Sequence, residues 1–151
     1  MAGLTNYLRN KIVDWLLRDQ AFVPPASLYL RLCTNTPTAS SVGAEVSGGG
    51  YSPLEIESSA AKWAATNAAG STTVPSSGTS GTTSNNELLN FGTATASWGT
   101  VSHWELWDAS SGGNRLFYGA ITDGTGVPTP RSITTGDPVS FPISALKIVW
   151  A

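Results

Sequence analysis

Apolar residues change their period once along the chain, and that change divides it. Between Leu4 and Gln20 they fall three and four apart, so that Leu4, Leu8, Ile12, Trp15 and Leu16 make one stripe and LTNYLRNKIVDWLLRDQ predicts an amphipathic helix. Thr5 or Asn6 can cap its start, while Pro24 and Pro25 forbid its continuation. Tyr7, Lys11, Asp14 and Arg18 form the polar side. Val13 and Leu17 lie off the main stripe and are themselves four apart. They make a second apolar patch that packs either on the helix's own domain or on another subunit.

From Ser27 onward the period is two. SLYLRLCT sets Leu28, Leu30 and Leu32 on one face and Tyr29, Arg31 and Cys33 on the other. The same alternation continues in YSPLEIES, ELLNFG, VSHWELWD, RLFYGAI, RSITT, PVSFPI and ALKIVW, with turn clusters such as VSGGGY, DASSGGN and TTGDP between them. Eight short strands and no second long helix predict a mainly β fold, an antiparallel β-sandwich of jelly-roll type carrying one N-terminal helix. The expected organisation is a helix and Pro-Pro linker over 1–25, then a sandwich domain over 26–151 with a flexible arm at 69–87. Strands 101–107 and 115–121 should form a hairpin in which Gly112, Gly113 and Asn114 supply the positive-φ positions. The first of them has bulky groups on both faces: Trp104 and Leu106 on one, Val101, His103, Glu105 and Trp107 on the other. A face that met only water would alternate more cleanly, so the outer surface here is expected to be covered.

Charge narrows the function classes. Only 12% of residues are charged, against about 25% in ordinary domains, and the net charge is −2 with no basic run. That gives no field for nucleic acid or an anionic membrane, and neither is expected as a partner. Met1 to Gln20 is interrupted by Arg9, Lys11, Asp14 and Arg18, so it lacks the apolar core of a signal peptide. The expectation is a protein kept in the cytosol or exported within something larger. The single cysteine, Cys33, reads as a small core residue.

Reactive groups are sparse. His103 is the only histidine, with Glu105 on the same strand face. The sequence has no G-x-S-x-G elbow that would expose a serine nucleophile, so His103 reads as structural or interfacial and no enzyme is expected. Asp108, Asp123 and Asp137 sit in turns, where a carboxylate ordinarily accepts from its own backbone, and no calcium-loop spacing surrounds them. No metal or cofactor is expected. The six tryptophans, Trp15, Trp63, Trp98, Trp104, Trp107 and Trp150, either stack on sugar rings or fill the core and subunit contacts of a fold otherwise built from small residues.

The stretch GSTTVPSSGTSGTTSNNE, residues 70–87, has one sizeable aliphatic side chain, Val74, and one charge, Glu87. Ordering its backbone costs on the order of 18–36 kcal/mol at ~1–2 kcal/mol per residue, with almost no apolar area to offset it. It is expected to be an arm whose hydroxyls, amides and backbone groups bind a neighbouring chain, the alternative being a passive loop. The candidate contact residues are Thr72, Thr73, Val74, Ser80, Thr83 and Asn86 of the arm, Val13 and Leu17 of the helix, and the exposed face carrying His103, Glu105 and Trp107, whose cover would be a neighbouring chain.

The succession GLTNYLRNKIVDWLLRDQAFVPPASLYLRLCTNTPT, EVSGGGYSP, AKWAAT and TSNNELLNFGTATASWGTVSHWELWDASSGGNRLFYGAI, closed by a β-rich tail, resembles a group of small tailed-phage virion proteins. These are labelled tail-fibre-like and are related to capsid cement, or decoration, proteins of β-sandwich type. The resemblance covers nearly the whole chain. It implies a non-enzymatic virion component, made in the host bacterial cytoplasm, without fixing head or tail; the leading expectation is a capsid-surface cement protein that clamps the major capsid protein as a homodimer or homotrimer. The alternative is a tail fibre or baseplate-associated component that binds host surface glycan through its tryptophans.

Overall fold

The computed structural model describes residues 2–66, 75–77 and 81–149. In chain order the elements are β1 (Gly3–Leu4), α1 (Asn6–Leu17), β2 (Ser27–Cys33), β3 (Leu54–Glu57), β4 (Thr82–Ser84), β5 (Leu89–Thr93), β6 (Gly99–Val101), β7 (His103–Trp107), β8 (Arg115–Ala120), β9 (Arg131–Ile133), β10 (Pro138–Phe141) and β11 (Lys147–Val149). All eight expected strands are present and every pairing is antiparallel.

One five-stranded sheet runs β1-β8-β7-β2-β3. The period of two fixes its faces: Leu30 stands opposite Leu106 and Leu32 opposite Trp104, all four buried. The second layer is three ribbons rather than a second continuous sheet: β5 with β10, β4 with β11, and β6 with β9. Leu89, Val101, Ile133, Val139 and Ile148 from these ribbons, with Leu146 just before β11, close over the sheet to form a single core. The fold is thus mainly β and antiparallel, as the alternation predicts.

Three features depart from the expectation. First, the expected strand 101–107 is broken at Ser102. Val101 pairs with Arg131 in a ribbon, whereas His103 pairs with Cys33 in the sheet. Val101 therefore turns into the core, 3% exposed, and does not share a face with His103. Second, the polar stretch is not an arm to its end. Thr82–Ser84 pair with β11, and Asn85 is wholly buried. Its Oδ1 accepts from Leu146 N at 2.8 Å, while its Nδ2 donates to Glu87 O at 2.7 Å and Pro142 O at 2.8 Å. One amide, with both its N–H groups and its carbonyl oxygen engaged, holds the chain where apolar area is lacking. Third, the helix begins later than predicted, because Gly3–Leu4 join the sheet edge beside β8.

The hairpin of β7 and β8 forms, with Gly112 and Gly113 at φ 64 and 75. Asn114 is not a positive-φ residue; its N–H and side-chain amide instead donate to the two oxygens of Asp108, at 2.6 and 2.9 Å. Across the same hairpin Gly119 faces Trp104, whose ring atoms would lie 2.6 Å from any Cβ there, so a bare backbone makes room for the indole.

Candidate functional site

Helix α1 is tied down at one end only. Thr5 caps it: its Oγ1 accepts from Leu8 N at 3.3 Å and donates to Arg115 O at 2.6 Å, and Thr5 N donates to Leu116 O. Asn6 N reaches Ala39 O. Leu8 is the one buried residue of the helix. Beyond it the expected apolar stripe leaves the body of the protein: Trp15 is 55% and Leu16 62% exposed. The second patch is free as well, with Val13 48% and Leu17 80% exposed. These side chains therefore do not pack on the helix's own domain. The exposed end finishes with Asp19 in the left-handed region at φ 53, where both Arg18 N and Gln20 N donate to Asp14 O.

The outer face of the five-stranded sheet is covered, as the bulky residues on both sides of β7 imply, and the cover is the chain's own loop 38–45. Glu105, expected on an exposed face, is 2% exposed. Its carboxylate accepts from Arg115 Nη1 at 2.6 Å, Gly43 N at 2.8 Å and Trp107 Nε1 at 3.0 Å. Arg115 in turn donates to Ser41 O at 2.7 Å and to Thr38 O. Arg31 lies over the Trp107 ring, 4.2 Å from its centroid, donates to Ala109 O at 2.9 Å and pairs with Glu45 at 3.4 Å. Tyr51 Oη links the loop back to the sheet, accepting from Leu32 N and donating to Glu45 Oε1, each at 3.0 Å. Burial is the largest cause pushing up the Tyr51 hydroxyl's pKa. Burial also pushes Cys33 up to about 12, the nearby charges of Glu105 and Glu45 adding to it. Arg31, Arg115 and Glu45 were not singled out from sequence. Their signal was present: Arg31 alternates with Cys33, and a charge beside a buried thiol on one strand face demands a countercharge.

His103 does not meet the Glu105 carboxylate in any bond. Its Nδ1 pairs with Ser102 Oγ at 2.9 Å, the ring is half-buried, and burial lowers its pKa. Trp107 is half-buried beneath Arg31. Thr83, in β4, donates to Ala64 O at 2.6 Å, and Asn86 N donates to Lys62 O at 2.8 Å, so both serve the fold. Thr72, Thr73, Val74 and Ser80 lie outside the described residues, as does Trp150. The candidate contacts therefore separate: Val13 and Leu17 belong to one surface with Leu16, Glu105 and Trp107 belong to a covered ionic cluster, and His103 stands apart beside Ser102. Asp123 Oδ1 accepts from Thr125 and Val127, and Asp137 Oδ2 from Thr134, each within its own turn. Among the described residues no three His, Cys, Asp or Glu side chains converge on a metal-sized site.

A family model described as Podophage GP4 fiber I protein gp80 matches residues 3–149, nearly the whole chain. No curated protein matches it.

Proposed function

The chain belongs to the podophage GP4 fiber I protein gp80 family, and from that membership together with its surface we propose that it is a fibre component of the particle that works by docking, not by catalysis. The observation that carries the reading is the free end of α1. Val13, Leu16 and Leu17 project from one side of a short helix that is anchored only through Thr5, Asn6 and Leu8. Contiguous apolar side chains held out by a rigid element favour an interface, since covering each leucine or valine is worth about 1.5–3 kcal/mol. Nothing in the fold needs them there. The contact would be with a second copy of the chain or with the structural protein that anchors it, and symmetry would repeat it around the particle.

The test is Leu16→Asp/Leu17→Asp, which alters solvent-exposed positions and leaves the core intact. Particles grown with this variant should lack the protein while the soluble chain keeps its melting temperature. Normal incorporation would refute the helix as the docking element.

A second reading, capsid cement, draws on the same helix, because a small domain with one free apolar edge also suits clamping of a shell lattice. Copy number separates the two. A cement protein would approach the copy number of the capsid subunit, and a fibre protein would be present in a few to some tens per particle, as measured by quantitative mass spectrometry of purified virions.

A further inference from the structure

The broken second layer leaves a space. Between the five-stranded sheet and the ribbons lies a cavity of about 580 Å³, within the ~300–1,000 Å³ range of small-molecule sites. Its floor is Leu32, Val101, Trp104, Ile133 and Val139, all buried, with Phe141 half-buried beside them. Arg131 and Lys147 also line it and are exposed, which sets them at its mouth. Among the described residues neither cation pairs with a carboxylate. Asp137 lines the cavity too, but its Oδ2 is held by Thr134 N and Oγ1 at 2.7 and 2.9 Å.

An apolar floor of this size gives water few partners, so a filling of water is costly, and an apolar guest is favoured. Two unpaired cations at the rim favour an anion at the guest's open end. We infer that the cavity binds a single-chain anionic amphiphile, with an unbranched acyl chain laid over Trp104, Ile133 and Val139 and its carboxylate between Arg131 and Lys147. At about 30 Å³ per water-sized group the space admits roughly 19 such groups, enough for dodecanoate. This site does not depend on where in the particle the protein stands, because it is built inside one chain.

The experiment uses the full purified chain and sodium dodecanoate below its micelle concentration, followed by calorimetry and by quenching of tryptophan emission with 12-bromododecanoate. One dodecanoate per chain is expected. Arg131→Gln/Lys147→Gln should weaken it at least about tenfold, as the loss of charge-assisted contacts implies. Ala145→Trp and Ser140→Trp, two exposed lining positions, should each abolish binding by closing the mouth, with circular dichroism checking that the fold persists. Dodecyltrimethylammonium, which has the same chain and the opposite charge, should bind at least about tenfold more weakly. The inference is overturned by any of four results: no dodecanoate binding, unchanged affinity in both tryptophan variants, equal affinity for the cationic amphiphile, or binding only to phosphatidylglycerol vesicles. The last would mark a membrane surface and not an internal site.

Discussion

Replacing Glu105 by Gln keeps the shape of the side chain and one carbonyl oxygen but removes its charge. In the native protein this carboxylate is 2% exposed and answers Arg115, itself 7% exposed. Arg115 would keep its bonds to Ser41 O and Thr38 O, yet its charge would be left in a dry site. Removing one member of a buried pair costs about 3–5 kcal/mol, against ~0–1 kcal/mol for a surface pair. For a domain of this size about 1 kcal/mol moves Tm by roughly 2–4 °C, so the expected fall is roughly 6–20 °C. Urea unfolding and thermal circular dichroism should agree on it. A companion, Glu105→Gln/Arg115→Met, removes both charges and should recover part of the loss, since an unpaired charge is no longer buried. Loss of less than about 1 kcal/mol in the single variant would refute the reasoning, as would a double variant less stable than the single one. In either case the cover of loop 38–45 over the sheet would owe little to this pair.

Two further outcomes follow from the same geometry. Cys33, buried and pushed up to about 12, should resist iodoacetamide at pH 8 in the native protein and react promptly in guanidinium; rapid native labelling would show that loop 38–45 opens readily. The Asp123 carboxyl is held below its ordinary 3.8, chiefly by the Thr125 hydroxyl and then by the Val127 and Thr125 amides. Its contribution to the turn is therefore present above 3.8 and lost as pH falls through the lower folded value. The Val127 amide resonance should report that titration, and Asp123→Asn should erase it; a titration that persists in the variant would assign it elsewhere.

Much of the fold was legible because the signals are local. Alternation in SLYLRLC and HWELW needs no knowledge of partners, and Gly112-Gly113 marks the hairpin between HWELW and RLFYGA. What escaped depends on contacts distant in sequence. The change of layer at Ser102 leaves the polarity pattern untouched, because Val101 and His103 are both tolerable on either face, and only pairing with Arg131 and Cys33 separates them. Thr82–Ser84 look like the linker before them, since their strand identity comes from β11 and from the Asn85 amide reaching Leu146 and Pro142. The exposed apolar patch of α1 was half legible: periodicity found Val13 and Leu17, but the exposure of Leu16 and Trp15 follows from the helix being anchored at its first turn alone. The face of His103, Glu105 and Trp107 was expected to be exposed on the single chain and covered by a neighbour. Its occupant, the chain's own loop held by Arg31 and Arg115, could not be read from local pattern.

The ribbons of the second layer also limit what the protein can do wrongly. Their strands are three to five residues long, so each offers an incoming chain only a short row of free amides and carbonyls, too brief a template for runaway strand addition. A sheet edge that short gives copies of the chain little backbone to share, whatever their concentration. Fragmenting half of the sandwich thus guards the chain against edge-to-edge aggregation without spending a proline or a charge on every strand.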